Sequence, residues 1–567
     1  MTRDNRAEDW ARTGCAEGGL PPQGTLGTHE VANQPPMPAG RDLWASDRAL
    51  RDAVTAALAA GSDDADRDPG QRLAALAAAG ALYGSEETHV AAEDARRDRP
   101  RLKLFDRSGR RLDEVAFSPS YHRLMELGVR LGYAAKPWDG KKGGHVAHAA
   151  LVYMQSQVEP GIACPLTMTY AAVPALAASP EVQGAWRPGL TARVYDPSIR
   201  PAARKAGLTM GMAMTEKQGG SDVRANTTVA EREGAHYRLT GHKWFCSAPM
   251  SDGFLTLAQA PEGLTCFLVP RWLEGERNAI RLQRLKDKLG NVANASSEIE
   301  YDRALAYRLG DEGAGVRTII EMVHHTRLDT AMAPAGLMRA AVAEAHAWVS
   351  GRTAFQKKLI DQPLMRAVLA DLALDAEGAL AAGIYVARSF DDQSEKARAF
   401  ARIGVALAKY LSNKRCIAVT AEAMEVLGGM GYVEETPMPM LYREAPLNGI
   451  WEGSGNVICL DILRTLARDK LAAEVLQTRL LAARGHLADY DAALDAHLAR
   501  WPGLPEEAQA RWFAESLAGL LTCMALIDTA PEAIAAGYAR SRLRGERGSL
   551  PGAVAGLDTG AILSRLA

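Results

Sequence analysis

The chain has 567 residues, 47% of them hydrophobic and 24% charged. It is too long for one domain of about 100–200 residues, and it carries enough apolar side chain for a large core, which excludes a disordered polypeptide. Its 66 Lys and Arg against 68 Asp and Glu leave a net charge of −2, so the chain as a whole signals no polybasic partner surface, although a local patch stays open.

Residues 1–45 are rich in Pro and Gly and read as an extended arm, either stitching subunits together or forming a loose terminus. Residues 46–206 are predicted mostly helical, with strong helix formers at 53–58 and 71–82 and apolar residues at helical spacing over 121–131. The pattern changes after Gly207. Strands are predicted at 227–230 and 237–240 around Gly234, at 254–259 and 264–269 around Gly263, and at 279–285 and 296–301. An antiparallel barrel or sandwich over 207–312 fits them. Helical periodicity returns over 313–468, with helices expected near 315–350, 362–391, 395–429 and 456–468. The remaining 469–567 are helical again, broken at Trp501, Pro502, Gly503, Leu504 and Pro505. The predicted class is mainly α with a central β domain. The seven Cys form no CxxC, no run of about 18 apolar residues occurs, and Asp4, Arg6, Glu8, Asp9 and Arg12 interrupt any secretory leader. A reducing, cytoplasmic setting is the simplest reading.

Three segments could carry chemistry. In Met212-Ala213-Met214-Thr215-Glu216-Lys217-Gln218-Gly219-Gly220-Ser221-Asp222, two glycines beside hydroxyls let backbone approach a phosphate. It is not GxGxxG and lacks the following helix, so it is no Rossmann fingerprint. In Gly241-His242-Lys243-Trp244-Phe245-Cys246-Ser247, aromatics followed by a hydroxyl suit a flat ring and its polar edge. In Ile450-Trp451-Glu452-Gly453-Ser454-Gly455-Asn456, a helix start offers unpaired N–H groups to a pyrophosphate, and a carboxylate beside an aromatic could serve as a base with a raised pKa. Taken singly, a turn, a strand end and a helix cap explain them equally well.

Together, in this order, the segments resemble the acyl-CoA dehydrogenase superfamily of flavoproteins. Thr215, Glu216, Gly220, Ser221 and Asp222 match its Thr-Glu and Gly-Ser-Asp pattern. Gly241, Lys243 and Phe245 match its Gly-x-Lys-aromatic strand. Arg352, Phe355 and Gln362 match Arg-x-x-Phe and the following Gln. Gly428, Gly429 and Gly431 match the double-Gly turn, and Glu452 and Gly453 the Glu-Gly motif. The stretches MTEKQGGSD, LKDKLGN, AEAMEVLGG and IWEGSGN, with Asn33-Gln34-Pro35-Pro36 and the long C-terminal extension, are similar to the branch linked to the adaptive response to DNA alkylation.

The resemblance implies a helical domain, a β domain and a four-helix bundle, with FAD between the last two and a C-terminal helical extension. Met212, Met214, Thr215, Gly220 and Ser221 would contact FAD, as would Phe245, Cys246 and Ser247, the last near flavin N5. Ile450, Trp451, Gly453, Ser454 and Asn456 would line its ring and pyrophosphate. Arg352, Phe355, Gln362, Gly428 and Gly429 would reach the FAD of a neighbouring subunit, in a homotetramer built as a dimer of dimers. Glu452 would be the base of α,β-dehydrogenation, since the alternative position before Arg327 holds Thr326. An Asp common three residues earlier is replaced by Val323, beside His324 and His325. Arg464, three helical turns after Glu452, is expected with Trp451 in the substrate pocket, where its charge would lower the carboxyl pKa.

The branch implies protection of DNA by double-stranded DNA binding, by destruction of alkylating small molecules, or both, with weak isovaleryl-CoA oxidation. The alternative is a metabolic short- or branched-chain acyl-CoA dehydrogenase, and a third reading is a DNA-binding module whose flavin is structural. DNA binding is ascribed to 469–567. There, ten basic and eleven acidic residues make no basic domain, and only Arg540, Arg542, Arg544 and Arg547 cluster.

Overall fold

Apolar residues recur all round several of the helices rather than along one stripe, as they must in helices buried on every side. In the computed structural model, which describes residues 23–36, 40–60 and 69–566, these helices are the centre of the molecule. The first domain holds α1 (Arg48–Ala59), α2 (Pro69–Tyr83) and α3 (Glu86–Arg97). A hairpin follows, β1 (Arg101–Phe105) with β2 (Arg111–Ala116), and then α4 (Pro119–Leu131), α5 (Gly144–Val158), α6 (Pro160–Leu176) and α7 (Pro180–Leu190). The hairpin was not among the elements expected for this mostly helical segment. Its alternating strands flank the turn residues Asp106, Ser108 and Gly109, a short signal easily lost between longer helical patterns. Ser118 caps α4 through the Tyr121 amide, and Gly132 ends it in the left-handed region.

The strands that follow close on themselves. They are β3 (Met210–Ala213), β4 (Val229–Glu233), β5 (His236–Ser247), β6 (Gly253–Ala260), β7 (Gly263–Pro270), the short hairpin β8 (Trp272–Leu273) and β9 (Glu276–Arg277), β10 (Ile280–Leu285) and β11 (Ser296–Leu309). β11 pairs with β5, β5 with β4, β4 with β6, β6 with β7, and β7 returns to β11. A barrel results, with β10 and the parallel β3 added at its flanks. Two register shifts bend β11, one beside Arg303 at φ 60°, so the strand pairs with β5 as far as Ala306 and with β7 over Tyr307–Leu309.

Inside the barrel wall lies a fully buried ion pair, Lys243 Nζ to Glu216 Oε1 at 2.7 Å. Glu216 also accepts bonds from the Thr227 and Thr228 amides and hydroxyls. Against the cost of burial, these donors and Lys243 hold its carboxyl down at about 2. The glutamate of the Thr-Glu motif is therefore a clamp on the loop that follows it.

The bundle consists of α8 (Gly315–Gly351), the small hairpin β12 (Thr353–Ala354) and β13 (Lys357–Lys358), α9 (Pro363–Phe390), α10 (Glu395–Val426), α11 (Met438–Glu444) and α12 (Gly455–Arg468). Ser394 caps α10 through the Ala397 amide, and Pro363 opens α9. The C-terminal helices are α13 (Lys470–Ala482), α14 (Ala488–Arg500), α15 (Ala510–Thr529), α16 (Glu532–Tyr538) and α17 (Thr559–Leu563). α15 is apolar and long enough to cross a membrane by composition, yet most of it is buried in the structure, and it packs on α9 and α10. Of the expected N-terminal arm, residues 1–22 and 37–39 lie outside the described residues. Asn33 is bonded to Thr353 through both its side-chain oxygen and nitrogen, so this part of the arm rests on its own chain.

Glu216→Gln leaves the Lys243 ammonium buried without its counter-charge. We expect a loss of about 3–5 kcal/mol, read as a lower urea midpoint, with much of it regained in Glu216→Gln/Lys243→Met.

Candidate active site

Glu452 sits on the turn that leads into α12, and its backbone is left-handed at φ 55°, followed by Gly453 at φ 103°. A non-glycine residue pays strain there and needs its surroundings to hold it. Two buried cations do so. Arg327, on α8, donates from Nε to the Glu452 carbonyl at 3.1 Å. Lys409, on α10, donates to the carbonyls of Asn448 and Gly453, both at 2.9 Å. Arg327 is itself fixed by Asp461 on α12 at 2.7 Å, and Arg402 on α10 bonds both oxygens of the same carboxylate. Three helices thus converge on one turn.

The electrostatics follow from burial. Desolvation pushes the Glu452 carboxyl above the ordinary Glu value, while the Thr326 side chain and the charges of Lys409 and Arg327 pull the other way. Burial drives Lys409 down to about 7. His324 and His325 are likewise kept neutral by burial, His325 down to about 3. His324 stacks on Phe390 at 4.6 Å, and His325 lies among Trp138, His145 and Tyr170. The wall beside Val323 is therefore aromatic and uncharged. A cleft of about 480 Å³ opens beside the first turns of α8, lined by Ala178, Asp311, Arg317 and Glu321.

The structure corrects the expectation for Arg464. Its side chain is 60% exposed and 3.8 Å from Asp461 on the outer side of α12. The arginine beside Glu452 is Arg327, which appeared in the sequence only as a marker. Lys409 and Asp461 were missed too, although a lysine inside the apolar run GVALAKYLS is a signal that a buried cation has work to do. Thr326 is confirmed beside Glu452, and it bonds the Val323 carbonyl. Trp451 packs against the apolar cluster shared by α6 and the barrel.

The barrel supplies the remaining motif residues. At the end of β5, Phe245 is half exposed, Cys246 points into the barrel core, and Ser247 bonds Ser296 at 3.1 Å. For Cys246 this leaves only backbone for a ligand. The Trp244 amide donates to the Thr215 carbonyl, tying strand to loop, while Gly220 lies against Thr215 and Ser221 is exposed. Met212 and Met214 are partly buried beneath them. Ile450 is 64% exposed at the other side of the turn. Ser454 starts α12 without a side-chain cap, with Asn456 exposed beside it, so the first amides of the helix are free for an anion. A Cβ built on Gly455 would lie 3.0 Å from an Arg511 nitrogen and 3.2 Å from Lys414 Nζ. Neither cation has a carboxylate partner among the described residues. Two unpaired cations at an uncapped helix start fit the pyrophosphate of FAD.

The other expected FAD contacts lie elsewhere. Arg352 follows the C-terminal end of α8, about 36 Å along the helix axis from Arg327 at 1.5 Å per residue. Its guanidinium donates to the Asn33 carbonyl, and Gln362 bonds the Ala354 carbonyl. Phe355, at φ 50°, is 91% exposed, and nothing surrounds Gly428 or Gly429. None of these five reaches the Glu452 turn of its own chain.

The arginine cluster of the C-terminal segment is also corrected. Arg542 is buried against Asp371 at 2.7 Å and Asp375 at 2.8 Å, and Arg547 pairs with Asp371 at 3.1 Å. Arg544 meets Asp489 and Glu546, and Arg540 lies 3.9 Å from Glu546 and bonds the Gly556 carbonyl. These residues staple the C-terminal helices to α9 and offer no free basic patch.

A helical domain, a closed barrel and a bundle that carries a desolvated carboxyl beside an uncapped helix start with two unpaired cations define an FAD-dependent dehydrogenase of the acyl-CoA type. Family models agree. Residues 33–197 match the adaptive response protein AidB N-terminal domain, 211–304 the acyl-CoA dehydrogenase middle domain and 313–467 its C-terminal domain. The chain is 44% identical over 82% of its length, and 86% of the relative's, to the Escherichia coli protein named "Putative acyl-CoA dehydrogenase AidB". It is 31% identical over 68% of its length, and 65% of the relative's, to acyl-CoA dehydrogenase family member 11 of Caenorhabditis elegans. Among solved structures, C. elegans ACDH-11 in complex with C11-CoA superposes with a TM-score of 0.81 over 95% of both chains at 24% identity. A Bacillus anthracis acyl-CoA dehydrogenase complexed with FAD gives 0.62 over 79% of this chain and 86% of that one, at 18% identity. The chain belongs to the acyl-CoA dehydrogenase family, in its AidB branch, and is an FAD-dependent oxidoreductase of that type.

Arg542→Ala leaves buried Asp375 without its close partner and Asp371 with Arg547 alone, and is expected to cost about 3–5 kcal/mol. Arg544→Ala, at the surface, is expected to cost less than about 1 kcal/mol. Urea titrations of the two variants check the contrast.

Proposed function

We propose that the protein oxidises a short or branched acyl-CoA thioester, of the isovaleryl-CoA class, at its Cα–Cβ bond, and that it serves in the adaptive response to DNA alkylation. The single observation that carries the chemistry is the half-buried Glu452 carboxyl, raised by desolvation and held on a left-handed turn by Arg327 and Lys409. When bound, FAD supplies the acceptor for the β-hydride. Glu452 takes the α proton. Arg327 and Lys409 hold its backbone, and neutral His324 and His325 keep the acyl wall uncharged, so the carboxylate is the negative charge that meets the substrate. The thioester enters by the cleft at the start of α8. The C11-CoA complex of the C. elegans structure supports an acyl-CoA thioester as the ligand, and the AidB N-terminal match supports the place in the alkylation response.

Phe355, Gly428 and Gly429 make the reading one of an oligomer, in which these exposed residues complete the FAD site of a neighbouring copy in a dimer or a dimer of dimers. Duplex DNA, if bound, meets a surface other than the Arg540–Arg547 stretch, whose charges are already paired.

Anaerobic titration with isovaleryl-CoA tests the chemistry. Wild type is expected to bleach the flavin, and Glu452→Gln to reduce it about 10²–10⁴-fold more slowly. A base works only deprotonated, so the reduction rate should fall as pH drops through the raised Glu452 pKa, at higher pH than for an ordinary glutamate. Equal bleaching in both proteins would rule out Glu452 as the base.

A further inference from the structure

One charged group near the flavin end of β5 has no part in the chemistry above. Lys288 lies in the loop between β10 and β11, largely buried, and all three of its ammonium hydrogens are engaged. Nζ donates to the Asn294 carbonyl at 2.8 Å, to Ser296 Oγ at 3.1 Å and to Asn291 Oδ1 at 3.3 Å. Ser296 is the register partner of Ser247 across β5 and β11, and their hydroxyls lie 3.1 Å apart. Either hydroxyl of such a pair could be the donor. An ammonium only donates, so Lys288 occupies one of the two lone pairs of Ser296 Oγ. Among the described residues the one acceptor in reach of the Ser296 hydroxyl hydrogen is Ser247 Oγ, so that hydrogen turns to Ser247. Ser247 then accepts on its inner side, and its own hydrogen is free to point out of the barrel.

The surroundings keep this polarity. Burial lowers Lys288 to about 8, with the carboxylates of Glu444 and Glu159 pulling it up, so the ammonium persists at neutral pH. Glu159 is paired with Arg96 at 2.9 Å, and Glu444 accepts the Asn291 amide. Neither takes a hydrogen from Ser296. Cys164 lies against Ser247, but burial pushes its thiol up to about 11, so it stays neutral and is a weak acceptor.

We propose that Lys288 is a positioning residue that sets the direction of the chain Lys288 Nζ–Ser296 Oγ–Ser247 Oγ, so that Ser247 presents a fixed hydrogen-bond donor to the flavin edge. The proposal rests on the reading that Ser247 faces flavin N5. There, a locked donor favours the oxidised ring, whose nitrogen accepts, over the reduced ring, whose nitrogen carries hydrogen. The chain connects a lysine in one loop to the reacting edge through two serines on paired strands.

The test is the midpoint potential of the FAD bound to the purified holoenzyme. Ser247→Ala should raise the potential in the wild-type background. In the Lys288→Met background the hydroxyls are free to rotate, and the same Ser247→Ala shift should shrink to half or less. Ser296→Ala breaks the chain without removing the charge. It should raise the potential by itself, and it serves as the second background where Lys288→Met yields no folded holoenzyme. Lys288→Arg, which keeps a charged donor, should retain the full Ser247→Ala shift. A Ser247→Ala shift of equal size in all backgrounds would overturn the chain while leaving the flavin contact standing, and Lys288 would act by charge alone. No Ser247→Ala shift in any background would overturn the chain together with the placement of Ser247 at the flavin.

Discussion

The bond from Arg327 to the Glu452 carbonyl is the constraint on which the site depends. A left-handed glutamate is unfavourable in isolation, and the turn persists because two buried cations bind its backbone oxygens. Those cations need partners of their own. Arg327 has Asp461, which against its own burial is held at about 2 by Arg402 and Arg327. Lys409 has only carbonyl oxygens and the Glu452 charge, and burial lowers it accordingly. Glu452 and its supports form one electrostatic unit, spread over α8, α10, α12 and the turn.

The barrel solves a parallel problem. The loop after β3 must be held still in order to meet a phosphate-bearing cofactor, yet its glycines give it freedom. Glu216 removes that freedom by bonding Lys243 within the wall and the backbone of residues 227 and 228 beyond the loop. At the far end of the same strand β5, Ser247 and Ser296 hold the two long strands in register. One strand therefore carries a clamp for the loop, an exposed ring in Phe245 and a hydroxyl chain, because the register shift between Lys243 and Cys246 resets which side chains face the core.

Several charges that look free in sequence are structural. Arg542 and Arg547 join the C-terminal helices to Asp371 and Asp375 of α9 in a buried cluster, and Arg565 adds Glu377. Such pairs contribute weakly to stability relative to apolar packing, but they fix how one layer sits on another. Phe355, Gly428 and Gly429 are the opposite circumstance, motif residues left on an open surface.

The order of helices, barrel and bundle was legible in the sequence, because hydrophobic periodicity and turn residues are local signals. The Thr215–Asp222 loop, the β5 strand and the Glu452 turn were legible for the same reason, since each is a run of consecutive residues with one job. The β1–β2 hairpin was not, being short and enclosed by helical patterns. Pairings across the chain were not legible either. Arg327 meets Asp461 134 residues away, and Arg542 meets Asp375 167 residues away. Spacing on α12 placed Arg464 near Glu452, yet the helix turns that guanidinium outward and leaves Arg327 of another helix at the turn. The sequence by itself determined the family, the order of domains and the motif segments, because each is written in consecutive residues. Only the tertiary structure decided which charges are free, because burial and an opposite charge set the state of an ionisable group, and both are supplied by residues remote along the chain.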